Sequence, residues 1–207
     1  MTRAVPRLLV ITDTTLQTRY GHADLARYAI DGGADGIQLR DKEAPIRELL
    51  AEAEATRDVC ARAGVAFYVN DRVDVALAVG AHGVHVGQDD MPVTTARRLL
   101  GPEPVVGVTA FTPALARAAA ADGADYVGFG PIFGTQSKAN ARPATGVDGL
   151  ASFATACDLP VIAVGSVRAD HVTDLLAAGA HGVAVISAVC CAPDVAAAAR
   201  AFARRLP

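Results

Sequence analysis

No tryptophan occurs among the 207 residues, and aromatic side chains make up only 5% of them. A core without large rings has to be filled by small and branched side chains, and Ala and Val are abundant within an apolar fraction of 52%. Excess charge is also missing. The formal net charge is −3, so no global positive field draws the chain to nucleic acid or to an anionic membrane. Anionic small molecules, if they are ligands, must be held by local cations. The sequence has no apolar run of membrane length and no secretory pattern near Met1, which predicts a cytoplasmic protein with no membrane partner. The cysteines Cys60, Cys157, Cys190 and Cys191 lack CxxC spacing. They read as free thiols packed like small hydrophobes, with no chemistry assigned.

What is present is an alternation. Short β-rich runs at Leu8–Thr12, Gly36–Arg40, Ala66–Asn70, Gly83–Gly87, Val105–Val108, Tyr126–Gly130, Val161–Val164 and Gly182–Ile186 are separated by helical stretches. The helices are predicted over His22–Ile30, Ile46–Ala63, Val73–Ala78, Thr94–Leu100, Pro113–Ala121, Gly149–Thr155, Ala169–Ala177 and Asp194–Arg205. The strands are continuous apolar runs, as expected where helices cover a parallel sheet. A repeat marks every second unit: Gly33-Ala34-Asp35, Gly80-Ala81-His82, Gly123-Ala124-Asp125 and Gly179-Ala180-His181 each stand just before a strand. Their glycines suit the position that ends a helix. A doubly wound sheet can alternate in the same way, but so many uninterrupted units in a short chain favour closure. The prediction is an α/β fold, a (β/α)8 TIM barrel forming one domain over residues 1–207.

Barrels carry their chemistry at the C-terminal ends of the strands, and the unusual residues gather there. After the second strand, Gln38-Leu39-Arg40-Asp41-Lys42 places Gln38 and Arg40 on one face toward the barrel mouth, with Lys42 beyond. An inward Arg needs an anion, either a ligand or an internal carboxylate. After the third and fourth strands come Asn70-Asp71-Arg72 and His85-Val86-Gly87-Gln88-Asp89-Asp90. Asp71 and Asp90 at adjacent tips make an oxygen site suited to Mg²⁺. The plainer alternatives are an Asp71–Arg72 ion pair and helix capping by Asp90 ahead of Pro92. After the sixth strand, Gly130 to about Leu150 forms the longest loop, with a cation at Lys138, and reads as a lid. After the seventh and eighth strands, Gly165-Ser166 and Ile186-Ser187 occupy the usual phosphate corner, unless the serines serve as ordinary helix caps. Cations, a carboxylate pair and a separate phosphate corner point to two phosphorylated ligands, one of them a diphosphate needing Mg²⁺.

The segments QLRDK, NDRVDVAL, GVHVGQDD, GADYVGFGPIFGTQSK and GVAVISAV, in order along essentially the whole chain, resemble the thiamine phosphate synthases. The resemblance implies a transferase that condenses a hydroxymethylpyrimidine diphosphate with hydroxyethylthiazole phosphate, giving thiamine phosphate and pyrophosphate. It implies that Gln38 touches the pyrimidine and that Leu39 and Asp41, its neighbours in the QLRDK segment, also bind substrate. Arg40, Lys42, Asn70 and Lys138 would hold the diphosphate, with Arg40, Lys42 and Lys138 catalytic, and Asp71 and Asp90 would bind Mg²⁺. Thr135, Gln136 and Ser137 would lie against the thiazole phosphate, and Gly165, Ser166, Ile186 and Ser187 would receive its phosphoryl group. Pyrophosphate would leave first, and the thiazole nitrogen would capture the resulting pyrimidine methylene cation.

The chain departs from that pattern in three places. Gly107-Val108-Thr109-Ala110-Phe111-Thr112 stands where the family usually reads G-x-S-x-H-T; Thr109 keeps a hydroxyl for the pyrimidine, whereas Phe111 cannot replace a His. Gly134 and Ser137 stand where Pro and Thr are usual, and Gly165-Ser166 replaces a Gly-Gly pair. Two other functions fit the same barrel: a thiazole tautomerase, an isomerase needing no metal, and a non-catalytic binder of thiamine intermediates. Phe111 and the retained Arg40, Asp71 and Asp90 weigh against the first, and the charged rim against the second. Apolar positions in the last helix, Asp194–Arg205, leave room for a homodimer contact.

Overall fold

The computed structural model describes residues 5–134 and 143–207. Eight parallel strands form a closed barrel in the order β1 to β8: β1 Leu8–Thr12, β2 Gly36–Leu39, β3 Ala66–Asn70, β4 Gly83–Val86, β5 Val105–Thr109, β6 Tyr126–Phe129, β7 Val161–Val164 and β8 Gly182–Val185. The helices are α1 His22–Asp31, α2 Ile46–Ala63, α3 Val73–Val79, α4 Val93–Leu100, α5 Pro113–Ala121, α6 Gly146–Thr155, α7 Val172–Ala177, α8 Ser187–Cys190 and α9 Val195–Ala203. The barrel closes where β1 pairs with β8 in register Leu8↔Val183 to Val10↔Val185.

Two layers of apolar side chains explain why each strand reads as an unbroken apolar run. Leu9, Ile11, Tyr68, Val105, Tyr126, Ile162 and Ala184 fill the barrel interior. The alternate positions, among them Leu8, Val10, Ile37, Leu39, Phe67 and Val69, pack outward against helix residues such as Leu25, Leu49 and Ala53. With no tryptophan in the chain, Tyr68 and Tyr126 are the largest fully buried side chains. They meet edge to face at 6.4 Å between centroids, and glycines make room for them. A Cβ on Gly107 would run into the Tyr126 ring, and one on Gly83 would come within 2.7 Å of Tyr68. Gly107→Ala is therefore expected to lower stability by about 1–3 kcal/mol through overpacking, seen as a lower urea midpoint at unchanged slope.

The repeated Gly-Ala-Asp/His segments earn their pattern at the opposite end of the barrel. All four glycines have positive φ, from 64° at Gly80 to 97° at Gly33, as helix-ending residues do. The third residue of each repeat pins a neighbouring strand or the segment leading into one. Asp35 accepts from Arg7 N and Leu8 N at 2.8 and 2.6 Å. His82 Nδ1 accepts from Phe67 N at 3.1 Å, and Asp125 accepts from Val106 N at 2.7 Å. His181 Nε2 donates to Val5 O at 2.9 Å. Polar residues at this end serve stability.

Three differences from the sequence reading have local causes. Residues Ala169–His171 form a 3₁₀ turn ahead of α7 rather than its first turn. The short helix α8 follows β8 directly; a single turn is too short to show periodicity. Four strands end one residue earlier than expected, before Arg40, Gly87, Gly130 and Ile186, where the chain passes into the rim loops. The apolar face of α9, carried by Val195, Ala199 and Phe202, is buried within the chain. Among the described residues no helix is long and apolar enough to cross a membrane.

Candidate active site

The rim is built first by β1 and β2. Arg40 N donates to Thr12 O at 3.1 Å, which carries the pairing of these strands to the barrel mouth. Gln38 is buried, and Arg40, on the same face, directs Nη1 to Asp13 Oδ2 in an ion pair. Of the two partners open to an inward Arg, an internal carboxylate is present, and it is Asp13, a residue the sequence reading passed over. Lys42 is half-exposed, and its Nζ lies 3.0 Å from Asp71 Oδ2. Two members of the QLRDK segment point elsewhere. Leu39 packs outward beneath the helices. Asp41 folds its own loop, accepting from Glu43 N and Ala44 N at 2.9 Å each, and faces His22. Burial works to raise the Asp41 carboxyl, but the backbone donors of Glu43 and Ala44, together with His22, outweigh it and the net shift is downward.

The carboxylate pair comes from the tips of β3 and β4. Asn70 is in register with His85, and Asp71 N donates to His85 O at 2.8 Å. Asp71 adopts φ 61°, a left-handed conformation that a non-glycine residue holds only where its surroundings enforce it. Arg72 turns away to Asp74, with Nε–Oδ1 at 2.9 Å and Nη2–Oδ2 at 2.6 Å. The Asp71–Arg72 pair is thus not formed. Asp90 does not cap α4, whose cap position is Pro92; its Oδ2 accepts from Gly87 N at 2.7 Å instead. A Cβ at position 87 would stand 2.8 Å from that oxygen, so glycine is needed for the approach. Burial raises the Asp90 carboxyl above the usual carboxylate range, and a hydrogen bond with Asp71 raises it further.

Two carboxyl groups this close, half-buried, disfavour both being charged unless a cation lies between them. Their all-oxygen chemistry suits a hard divalent ion. Among the described residues no group of three or more His, Cys, Asp or Glu forms a metal cage. A pair is sufficient for Mg²⁺, which fills its shell from water and phosphate oxygens.

The floor of the mouth is a chain of polar contacts that sequence reasoning missed. His85 Nε2 lies 3.0 Å from Thr109 Oγ1, and His85 Nδ1 lies 3.0 Å from the Tyr126 hydroxyl. Burial pushes the Tyr126 hydroxyl well above its ordinary range, with the neighbouring Tyr68 adding to it. Gly128 leaves space for the imidazole, since a Cβ there would be 3.0 Å from His85 Cε1. The available signal was a lone polar side chain on the inward phase of the apolar strand Gly83-Val84-His85-Val86. Thr109 therefore presents its hydroxyl from a fixed position, and Phe111 stands two residues on.

The third part lies across the mouth, where Gly165, Ser166, Ile186, Ser187 and Leu16 line a cavity of about 290 Å³. Gly165 and Ser166 have φ 105° and 47°, so consecutive backbone groups turn in the left-handed region. Neither serine caps a helix: Arg168 precedes the 3₁₀ turn, and Ile186 holds the cap position of α8. Both serines are exposed and belong to the cavity lining. Ser166 carries strain that glycine would not. Ser166→Gly is expected to leave stability within about 0.5 kcal/mol, and Ser166→Val to lower it by about 1–2 kcal/mol in urea unfolding.

The long loop is anchored at this corner. Ile132 N donates to Val164 O at 2.9 Å and Phe133 N to Gly165 O at 3.2 Å, while Thr145 N and Gly146 N return to Pro131 O and Ile132 O at 3.0 Å each. Thr135, Gln136, Ser137 and Lys138 lie outside the described residues.

A closed (β/α)8 barrel whose cations, carboxylates and serine-lined cavity all stand at the C-terminal ends of its strands has the architecture of a barrel enzyme. The thiamine monophosphate synthase family model matches residues 8–189. The chain belongs to this family of transferases. It is 50% identical to the thiamine-phosphate synthase of Salinibacter ruber over 187 residues, 90% of this chain and 82% of that one. It is also 50% identical to that of Methanoculleus marisnigri over 199 residues, 96% and 94% of the two chains. Among solved structures it is similar to the thiamine phosphate pyrophosphorylase of Pyrococcus furiosus, with TM-score 0.86 and 36% identity over 96% of this chain and 94% of that one. A 3-hexulose-6-phosphate synthase, 19% identical with TM-score 0.72, shares the fold.

Proposed function

We propose that the chain condenses 4-amino-2-methyl-5-(diphosphooxymethyl)pyrimidine with hydroxyethylthiazole phosphate, releasing thiamine phosphate and pyrophosphate, as a cytoplasmic enzyme of one barrel domain. The observation that carries this reading is the division of the rim into two anion sites. Arg40, Lys42 and the Asp71–Asp90 pair stand on one side, and the Gly165–Ser166 and Ile186–Ser187 cavity on the other. Asp71 and Asp90 would hold Mg²⁺, which when bound offsets charge on a departing diphosphate.

The chain's own residues do the rest. Gln38 and the Thr109 hydroxyl, held by His85, orient the pyrimidine. Arg40, Lys42 and Asn70 fix the diphosphate, and Lys138, outside the described residues, is assigned to it as a further cation. Thr135, Gln136 and Ser137 border the thiazole phosphate, whose phosphoryl group sits on Gly165, Ser166, Ile186 and Ser187. No side chain has to act as nucleophile or general base, because the work is stabilising charge on the leaving group. Contacts of this kind contribute about 3–4 kcal/mol each to lowering the barrier. Pyrophosphate leaves first, and the thiazole nitrogen attacks the methylene cation.

The Asp71–Asp90 pair favours this reaction over thiazole tautomerisation, which needs no metal. Mass analysis of incubations with each substrate alone and both together tests the choice. Thiamine phosphate should form only with both present, and isomerisation of a thiazole precursor without pyrophosphate release would contradict it.

A further inference from the structure

We propose that Asp13 is a positioning residue that sets the guanidinium of Arg40 for the diphosphate; the inference rests on the reading of Arg40 as a diphosphate ligand. Asp13 is 1% exposed and is the only Asp or Glu buried among the described residues. A buried carboxylate is retained at a cost in desolvation that an apolar residue would avoid, so its value lies in geometry. Both of its oxygens are committed. Oδ1 accepts from Thr15 N at 2.9 Å and from Thr15 Oγ1 at 2.6 Å, folding the loop after β1, while Oδ2 takes Arg40 Nη1.

The platform beneath Asp13 is equally tied down. Thr12 Oγ1 lies 2.8 Å from His22 Nδ1 at the start of α1, and Thr12 O accepts from Arg40 N at 3.1 Å. The long Arg40 side chain is therefore held at both ends, by its own backbone and by Asp13. A guanidinium carries five N–H donors in a rigid fork. With one Nη1–H given to Asp13, the orientation of the remaining donors is fixed before an anion arrives, so less ordering remains to be done on binding. The partner is a phosphate-bearing anion on the Arg40 side of the mouth, not the thiazole phosphate in the cavity across it.

A double-mutant cycle separates positioning from mere structural support. Wild type, Asp13→Asn, Arg40→Ala and the double variant are compared for kcat and for the KM of each substrate. Asp13→Asn should raise the KM for the pyrimidine diphosphate and lower kcat, cutting kcat/KM by about 10- to 100-fold. It should leave the KM for the thiazole phosphate unchanged. In the Arg40→Ala background it should change kcat/KM by less than about twofold. An equal loss in both backgrounds, or a parallel rise in both KM values, would overturn the proposal and leave Asp13 a structural residue. If Arg40→Ala itself turns over normally, the diphosphate reading of Arg40 fails and the proposal falls with it. Should Asp13→Asn not fold, Asp13→Glu, which keeps the charge and shifts it by one methylene, is read in the same cycle. Thr15→Ala, which removes one Oδ1 contact and keeps the ion pair, should lower Tm without changing either KM.

Discussion

Replacing Asp90 by Asn should lower kcat for pyrophosphate release by about two to three orders of magnitude, the loss expected when a key electrostatic contact in a transition state is removed. The KM for the thiazole phosphate should stay within about twofold, because that substrate is assigned to the cavity across the mouth. The substitution is conservative in shape. An Asn oxygen can still accept from Gly87 N, the bond that now fixes Asp90 Oδ2 at 2.7 Å. It also removes one of two carboxyl groups that burial and mutual contact set against each other. The variant should therefore fold at least as stably as the parent while losing turnover, and steady-state kinetics beside urea unfolding read both. Unchanged turnover would remove Asp90 from the metal site.

Gly165→Ala should raise the KM for the thiazole phosphate by about 10- to 100-fold, several times more than the KM for the pyrimidine diphosphate, since a loss of 1.4 kcal/mol in binding is tenfold. Gly165 has φ 105°, a conformation open to glycine and strained for any other residue. A Cβ there would lie 2.5 Å from Pro131 Cα and 3.0 Å from Gly134 O. The backbone of the corner must shift to accommodate it, and the loop whose Phe133 N donates to Gly165 O shifts with it. Stability should fall by about 1–3 kcal/mol. The asymmetry between the two KM values is the informative part. Equal rises for both substrates would mean that the rim does not divide into two subsites.

The barrel was legible because its strands carry apolar residues on both phases and its helices end at regularly placed glycines. The repeats that Gly33, Gly80, Gly123 and Gly179 begin also end in residues that pin strands, though only the structure shows Asp35 and Asp125 reaching Leu8 N and Val106 N. Arg40, Lys42, Asp71 and Asp90 could be placed at one rim from strand order alone. What could not be read was pairing across the barrel. Asp13 and Arg40 lie 27 residues apart, and only the register Thr12↔Leu39 brings them together. His85 and Tyr126, 41 residues apart, meet because Gly107 and Gly128 leave space that a sequence pattern does not measure. Leu39 and Asp41 illustrate the converse. Adjacent to rim residues in sequence, they face the helices and His22 because successive positions near a strand end point opposite ways.

The most direct measurement follows pyrophosphate and thiamine phosphate together in one reaction containing both substrates, before and after chelation and on returning Mg²⁺. Equimolar release of the two products that stops with chelator and resumes with Mg²⁺ is the predicted result. Condensation insensitive to chelator, or pyrophosphate release without thiamine phosphate, would contradict the metal–diphosphate half of the site.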